Sequence, residues 1–260
     1  IERRVYAIGA KVNGILCGGC TVEQIRRARA VELNASWCYD WGQKLGDLME
    51  ERFGIPYART GQPYGLKATE EWLMGIARPL GLEKPAREMI RQETGELARE
   101  IDILRRFFDG KTALVEITEF PGPIRALSLA RMAEEFGAHP LVINIHPYTI
   151  KERMPSIKFL LERGQNPEVI LTNGLFSLGT FRSSLETEEE LKAIVAEYDD
   201  AIYLGNPRRY PDVPMVNLTT STGYPHYGYR GIRNIAKLAR SAVLNSTRPR
   251  SKLFRQVLYG

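Results

Sequence analysis

The feature that most constrains the fold is an alternation of short apolar runs with longer amphipathic stretches. The clearest run is Ala113, Leu114, Val115 and Ile117 within residues 112–118. A run that is apolar at successive positions suits a strand buried on both faces, as in a parallel sheet covered by helices. Further strands are predicted at 33–37, 141–145, 169–171, 201–204 and 215–217, with a short extended piece at 55–58. Between them lie predicted helices. One opens on the capping box Thr21-Val22-Glu23-Gln24, in which the residue-three side chain reaches back to the cap. Others cover 40–53, 69–80, 84–108, 124–136, 155–163, a segment opened by a second box at Thr187–Glu190, and 229–244. Gly54, Gly110 and Gly137 fall where helices end. The predicted class is α/β: two Rossmann-like three-layer domains with parallel sheets, 1–109 and 110–260, divided near Lys111.

Composition narrows the function classes. No apolar run approaches the ~20 residues needed to cross a bilayer, and no leader pattern is visible. The net charge of +5 is spread along the helices apart from a basic tail, Arg248, Arg250, Lys252 and Arg255, and neither nucleic acid nor membrane is an expected partner. Three Cys, an odd and low count, argue against a disulfide framework and point to a reducing cytoplasm. The chain opens at Ile1 without Met, which suggests a piece of a longer protein.

Chemistry concentrates at Leu33-Asn34-Ala35-Ser36-Trp37-Cys38-Tyr39-Asp40. Cys38 sits where a strand hands over to a helix, the carboxyl-edge position at which α/β proteins place ligands. A nearby helix N-terminus favours the thiolate, the metal-binding form. The alternative is a buried Cys acting as a small hydrophobe. Cys17-Gly18-Gly19-Cys20 is a second thiol pair, usable by a metal or redox site only with another thiolate. His139 and His146 stand at strand ends, where a structural hydrogen bond is the simpler role. Glu116 and Glu119 flank a strand terminus suited to proton delivery. There is no glycine-rich phosphate loop after a strand and no nucleophile elbow, so nucleotide hydrolysis, nicotinamide chemistry and a serine triad are not expected.

The segment from Leu33 to Tyr57, with Cys38 followed by an amphipathic helix and Phe53-Gly54-Ile55-Pro56-Tyr57, resembles the second-domain signature of the nitrogenase component 1 family. Further resemblances follow in the family's order. Ala30–Asn34 resembles the entry to that domain. Gly65-Leu66 with Thr69 and Leu73 resembles its next helix, and Asp109-Gly110-Lys111 the opening of its third domain. Phe136-Gly137-Ala138 and Tyr224–Gly231 resemble its last turns.

The resemblance implies a nitrogenase-like reductase subunit with an iron–sulfur-type or multi-iron cofactor in the cleft between the two domains. It implies Cys38 as anchoring thiolate, His226 as candidate second ligand, and Trp37, Tyr39, Tyr224 and Tyr227 as pocket lining. It also implies a related component 1 subunit as partner, in a hetero- or homo-oligomer, and an ATP-dependent iron–sulfur electron donor. The resemblance begins at the family's second domain, so the first, which carries the bridging-cluster thiolates, is expected to have no counterpart in residues 1–260. In catalytic subunits the ligand His stands where this chain has Tyr227, one step after His226. Arg125 falls in a turn from which the family often directs a basic residue at the cofactor. The rivals are a scaffold for cofactor assembly, a tetrapyrrole reductase, and a non-catalytic two-lobed binding module.

Overall fold

A computed structural model of the chain describes residues 2–16, 18–37, 39–116, 122–145, 168–171, 196–205, 213–218 and 225–245, with isolated positions 158 and 193. Most of the predicted helix at 155–163 and most of the one opened at Thr187 lie outside the described residues. The chain divides into two compact units, Ile1–Glu96 and Leu97–Gly260.

The first unit holds α1 (Glu2–Ala7), α2 (Val22–Arg27), β1 (Asn34–Ala35), α3 (Tyr39–Phe53), β2 (Tyr57–Ala58), α4 (Gly65–Ala77) and α5 (Glu83–Glu96). The capping box forms as read from the sequence. The Gln24 amide N–H donates to Thr21 Oγ1 at 3.2 Å, and the Thr21 N–H donates to Gln24 Oε1 at 2.7 Å. β1 and β2 pair in parallel, Asn34 opposite Tyr57 and Ala35 opposite Ala58. A small core of Ile8, Met74, Ala77 and Ala86, with Leu82, Met89 and Ile90 against it, ties α1, α4 and α5 together. Arg4 pairs with Glu93 across the same contact.

α3 does not bury the side the sequence pattern indicates. Leu45 and Leu48 are 47% and 40% exposed. The helix instead lays Gly42 and Gly46 on the strands. A Cβ at Gly46 would overlap the Tyr57 ring, and one at Gly42 would lie 2.6 Å from the Tyr57 hydroxyl. The bulk of Tyr57 fills the space that leucines would otherwise take. Arg59 then clamps the end of α3 to β2. Its Nη2 donates to Asp47 Oδ1 at 2.8 Å and Glu50 Oε2 at 2.6 Å. The hydrogen bond from Arg59 holds the Glu50 carboxyl below its ordinary value of 4.5. A carboxyl depressed in the folded state stabilises fully above its unfolded value and loses that contribution as pH falls through the folded one. The gap in Tm between wild type and Arg59→Gln is therefore expected to be constant above pH 4.5 and to close on further acidification. A gap that widens in acid would contradict the clamp. The pair is exposed, so the effect is small and salt-sensitive.

Two helix boundaries differ from the sequence reading. α4 begins at Gly65 rather than Thr69, because the Thr69 hydroxyl donates within the helix to the Gly65 carbonyl, at 2.5 Å, instead of capping its start. The single helix expected over 84–108 is two: α5 ends at Glu96 and α6 (Ala98–Phe108) follows, with Leu97 at φ −100°, ψ 8° between them. α5 serves the core of the first unit, whereas α6 buries Leu104, Phe107 and Phe108 in the second. One straight helix cannot do both.

The second unit continues with β3 (Thr112–Glu116), α7 (Gly122–Glu135), β4 (His139–Ile145), β5 (Glu168–Leu171), β6 (Ile202–Gly205), β7 (Met215–Asn217) and α8 (Gly228–Asn245). Among the described residues its sheet is all-parallel with order β5-β4-β3-β6-β7. The chain winds outward from β3 in one direction, returns to β6, and winds out in the other. This is a doubly wound sheet with its switch point between β3 and β6. β3 and β6 are buried at nearly every position, as the unbroken apolar runs require. Leu114, Leu141, Ala201, Tyr203 and Val213 form a core cluster. Phe108 stacks on Phe136 with centroids 6.1 Å apart and meets Phe107 edge-on at 5.1 Å.

Candidate functional site

In each unit, a strand leads from its carboxyl end to residues singled out above: Trp37 after β1, and His226 and Tyr227 after β7. In the first unit, β1 leads through Ser36 and Trp37 to α3. This loop is held from three sides. Ser36 Oγ lies 2.7 Å from the Tyr57 hydroxyl. Trp72 Nε1 of α4 donates to the Ser36 carbonyl at 2.8 Å. The Trp37 ring meets Tyr64 edge-on, centroids 6.2 Å apart. Trp37 is half-buried. Cys38 lies outside the described residues, as do Cys17 and Tyr224, and Tyr39 is placed only as the first residue of α3. Cys20 is half-buried and carries a free thiol.

In the second unit, Glu116 ends β3 at the switch point and is fully buried. The hydroxyl of Tyr203, itself fully buried on β6, donates to its carboxylate. Gly205 at the end of β6 pairs with Glu116 and packs against its backbone carbonyl. Arg125, in the first turn of α7, is 2% exposed. Its guanidinium donates to the Leu218 carbonyl just beyond β7. The basic residue noted in the sequence thus ties the first turn of α7 to the end of β7. Tyr203 and Gly205 were not singled out from the sequence. The one available signal was a phenol and a terminal glycine in an otherwise apolar strand.

His226 stands on the connection from β7 to α8 and is 3% exposed, so it is not an exposed loop residue. Asn234 Nδ2, two turns into α8, donates to the Pro225 carbonyl at 2.8 Å. Gly228 opens the helix at φ +67°. Gly231 leaves room for the chain at His226: a Cβ there would overlap the His226 carbonyl carbon and lie 2.6 Å from its oxygen. Tyr227 is half-buried beside it. Gly→Ala inside a helix ordinarily stabilises by about 1 kcal/mol. Gly231→Ala is expected to do the reverse, lowering Tm and raising the reactivity of His226 toward diethyl pyrocarbonate. Unchanged reactivity with raised Tm would show that the loop does not rest on this helix. His139, by contrast, is exposed, and His146 and Glu119 lie outside the described residues.

Among the described residues, no group of three or more His, Cys, Asp or Glu side chains is arranged to hold a metal ion. A thiolate and an imidazole are a donor set that iron accepts. The buried imidazole of His226, on a loop pinned by Asn234 and Gly231, fits such a role. No helix among the described residues is long and apolar enough to cross a membrane.

A doubly wound parallel sheet with polar residues gathered at its switch point defines an α/β protein built to present loops from its carboxyl edge. The sequence profile of the family described as nitrogenase component 1 type oxidoreductase matches residues 1–243. The chain belongs to this family. It is 26% identical over 180 residues to the nitrogenase molybdenum-iron protein alpha chain of Clostridium pasteurianum, a match covering 66% of this chain and 33% of that one. It is 29% identical over 138 residues to the nitrogenase iron-molybdenum cofactor biosynthesis protein NifE of the same organism, covering 52% and 29%. The alpha chain of Methanothermobacter thermautotrophicus matches at 24% over 243 residues, covering 91% and 47%. Among solved structures, nitrogenase Cp1 at pH 5 superposes with a TM-score of 0.64 at 20% identity, covering 93% of this chain and 52% of the other. The chain thus spans between about a third and a half of the length of these relatives.

Proposed function

We propose that the chain is part of a subunit of a nitrogenase-like metalloenzyme. In this reading it holds an iron–sulfur-type cofactor and reduces a small or cofactor-like substrate with electrons from an ATP-dependent iron–sulfur donor protein. It works beside a related component 1 subunit, in the cytoplasm. The observation that carries this reading is the family match running through both units and across Cys38 and His226.

Cys38 through its thiolate and His226 through its imidazole would hold the group, which when bound supplies multi-electron reduction. The rest falls to the chain. Trp37 and Tyr64 would wall the first loop with aromatic surface. Asn234 holds the His226 loop in place before any ligand arrives. The Tyr203 hydroxyl donates to the buried Glu116 carboxyl group and fixes its orientation at the switch point. Cys17 and Cys20 stand as a possible second thiol site, and Tyr39, Tyr224 and Tyr227 as further lining.

A second reading is a scaffold on which a nitrogenase-type cofactor is assembled. It is favoured by the similarity to a NifE protein and by Tyr227 at the position where catalytic subunits of the family carry His. Mixing the full-length protein with its reduced donor and ATP separates the two. The enzyme reading predicts many equivalents of donor oxidised per protein. A scaffold oxidises at most a few and then hands its iron to an acceptor protein.

A further inference from the structure

The loop between β2 and α4 contains an unmet polar requirement. Gln62 is 1% exposed, and both Nε2 and Oε1 are buried without a hydrogen-bond partner among the described residues. Thr60, two residues before it, is 6% exposed and its Oγ1 is in the same condition. A buried carboxamide with neither end paired carries the desolvation cost of two polar atoms uncompensated. Looseness of the loop does not account for this, because the loop is fixed on both flanks. Arg59 clamps its start to Asp47 and Glu50. The Thr60 methyl fills the notch left by Gly75 on α4. The Tyr64 N–H donates to the Gln62 backbone carbonyl at 2.8 Å. Thr69 Oγ1 lies 3.2 Å from the Pro63 carbonyl.

The loop leaves the carboxyl end of β2, parallel to β1, and therefore shares an edge with the Ser36–Trp37 loop. Tyr64 touches Trp37 directly. We infer that Gln62 is a recognition residue of this edge, its carboxamide taking both hydrogen bonds from one edge of a bound organic group. Such a group must present an acceptor and a donor side by side, as a carboxamide, a lactam or a protonated carboxyl does. A bare sulfide cluster offers acceptors alone and would leave Oε1 unmet. The inference deepens the proposed function and rests on it only in assigning this edge to the same bound molecule; it says that the molecule has an organic part.

The test uses 2-pyrrolidone, a small lactam edge suited to an enclosed amide, against N-methyl-2-pyrrolidone, which keeps the acceptor and lacks the donor. Each is titrated into the full-length protein while the Gln62 side-chain amide is followed by ¹⁵N NMR. The lactam is expected to shift that signal, with the N-methyl analogue weaker by at least about tenfold. Gln62→Met, which removes both buried polar atoms, should raise the Tm of the unliganded protein. Equal response to both probes, response to neither, or a Tm lowered by Gln62→Met would overturn the assignment. Should Gln62→Met fail to fold, the two-probe comparison on wild type still decides. None of these readouts involves iron, so failure here and failure of the cofactor reading are told apart.

Discussion

Gly205→Ala is expected to cost the second unit about 3–5 kcal/mol, a large share of the 5–15 kcal/mol typical of a folded chain. Gly205 has φ +152° and faces Glu116 across the β3–β6 pairing. A Cβ there would overlap the Glu116 carbonyl oxygen and lie 2.8 Å from its carbon. The obstacle is backbone, so no side chain can rotate away. The two central strands must separate at the switch point or β6 must slip. Slippage by one residue would turn Tyr203 away from Glu116. For a chain of this size the loss corresponds to a Tm lowered by about 6–20 °C. Gly54→Ala is the control. Gly54 also has positive φ, +66°, but open space where its Cβ would go. Only the backbone strain remains, about 1 kcal/mol. Equal shifts for the two variants would contradict the close approach at the switch point.

How far the sequence disclosed this architecture varies by element. β7 was legible to the residue, and the Thr21 box formed as its spacing required. These are local signals, a run of apolar residues or a side chain three positions from its partner. The break at Leu97 was not legible. The apolar face of 84–108 is continuous, and only the existence of two separate cores divides it. The glycine face of α3 was hidden for a similar reason, since its partner Tyr57 comes from another element. The candidate site follows the same division. Trp37, Cys38 and His226 sit in recognisable loop motifs. Tyr203, Gly205 and Gln62 matter through burial and pairing that no linear pattern displays.

The second large effect concerns Cys38. If its thiolate anchors the cofactor, removing it leaves one candidate protein ligand, His226, on a different loop. A lone imidazole holds iron weakly, and loss even of groups that merely orient a metal ligand costs 10–100-fold in affinity. Cys38→Ala should therefore leave the fold intact, since alanine conserves most of the volume of a cysteine side chain, while binding collapses. Far-ultraviolet circular dichroism and Tm would be close to wild type, separating loss of a ligand from loss of structure. The most direct measurement is iron and acid-labile sulfide per chain in the full-length protein purified without oxygen, wild type beside Cys38→Ala. The account predicts iron and sulfide in the wild type and a fall of at least about tenfold in the variant. Iron retained in full by Cys38→Ala, or a wild type that carries none, would contradict it.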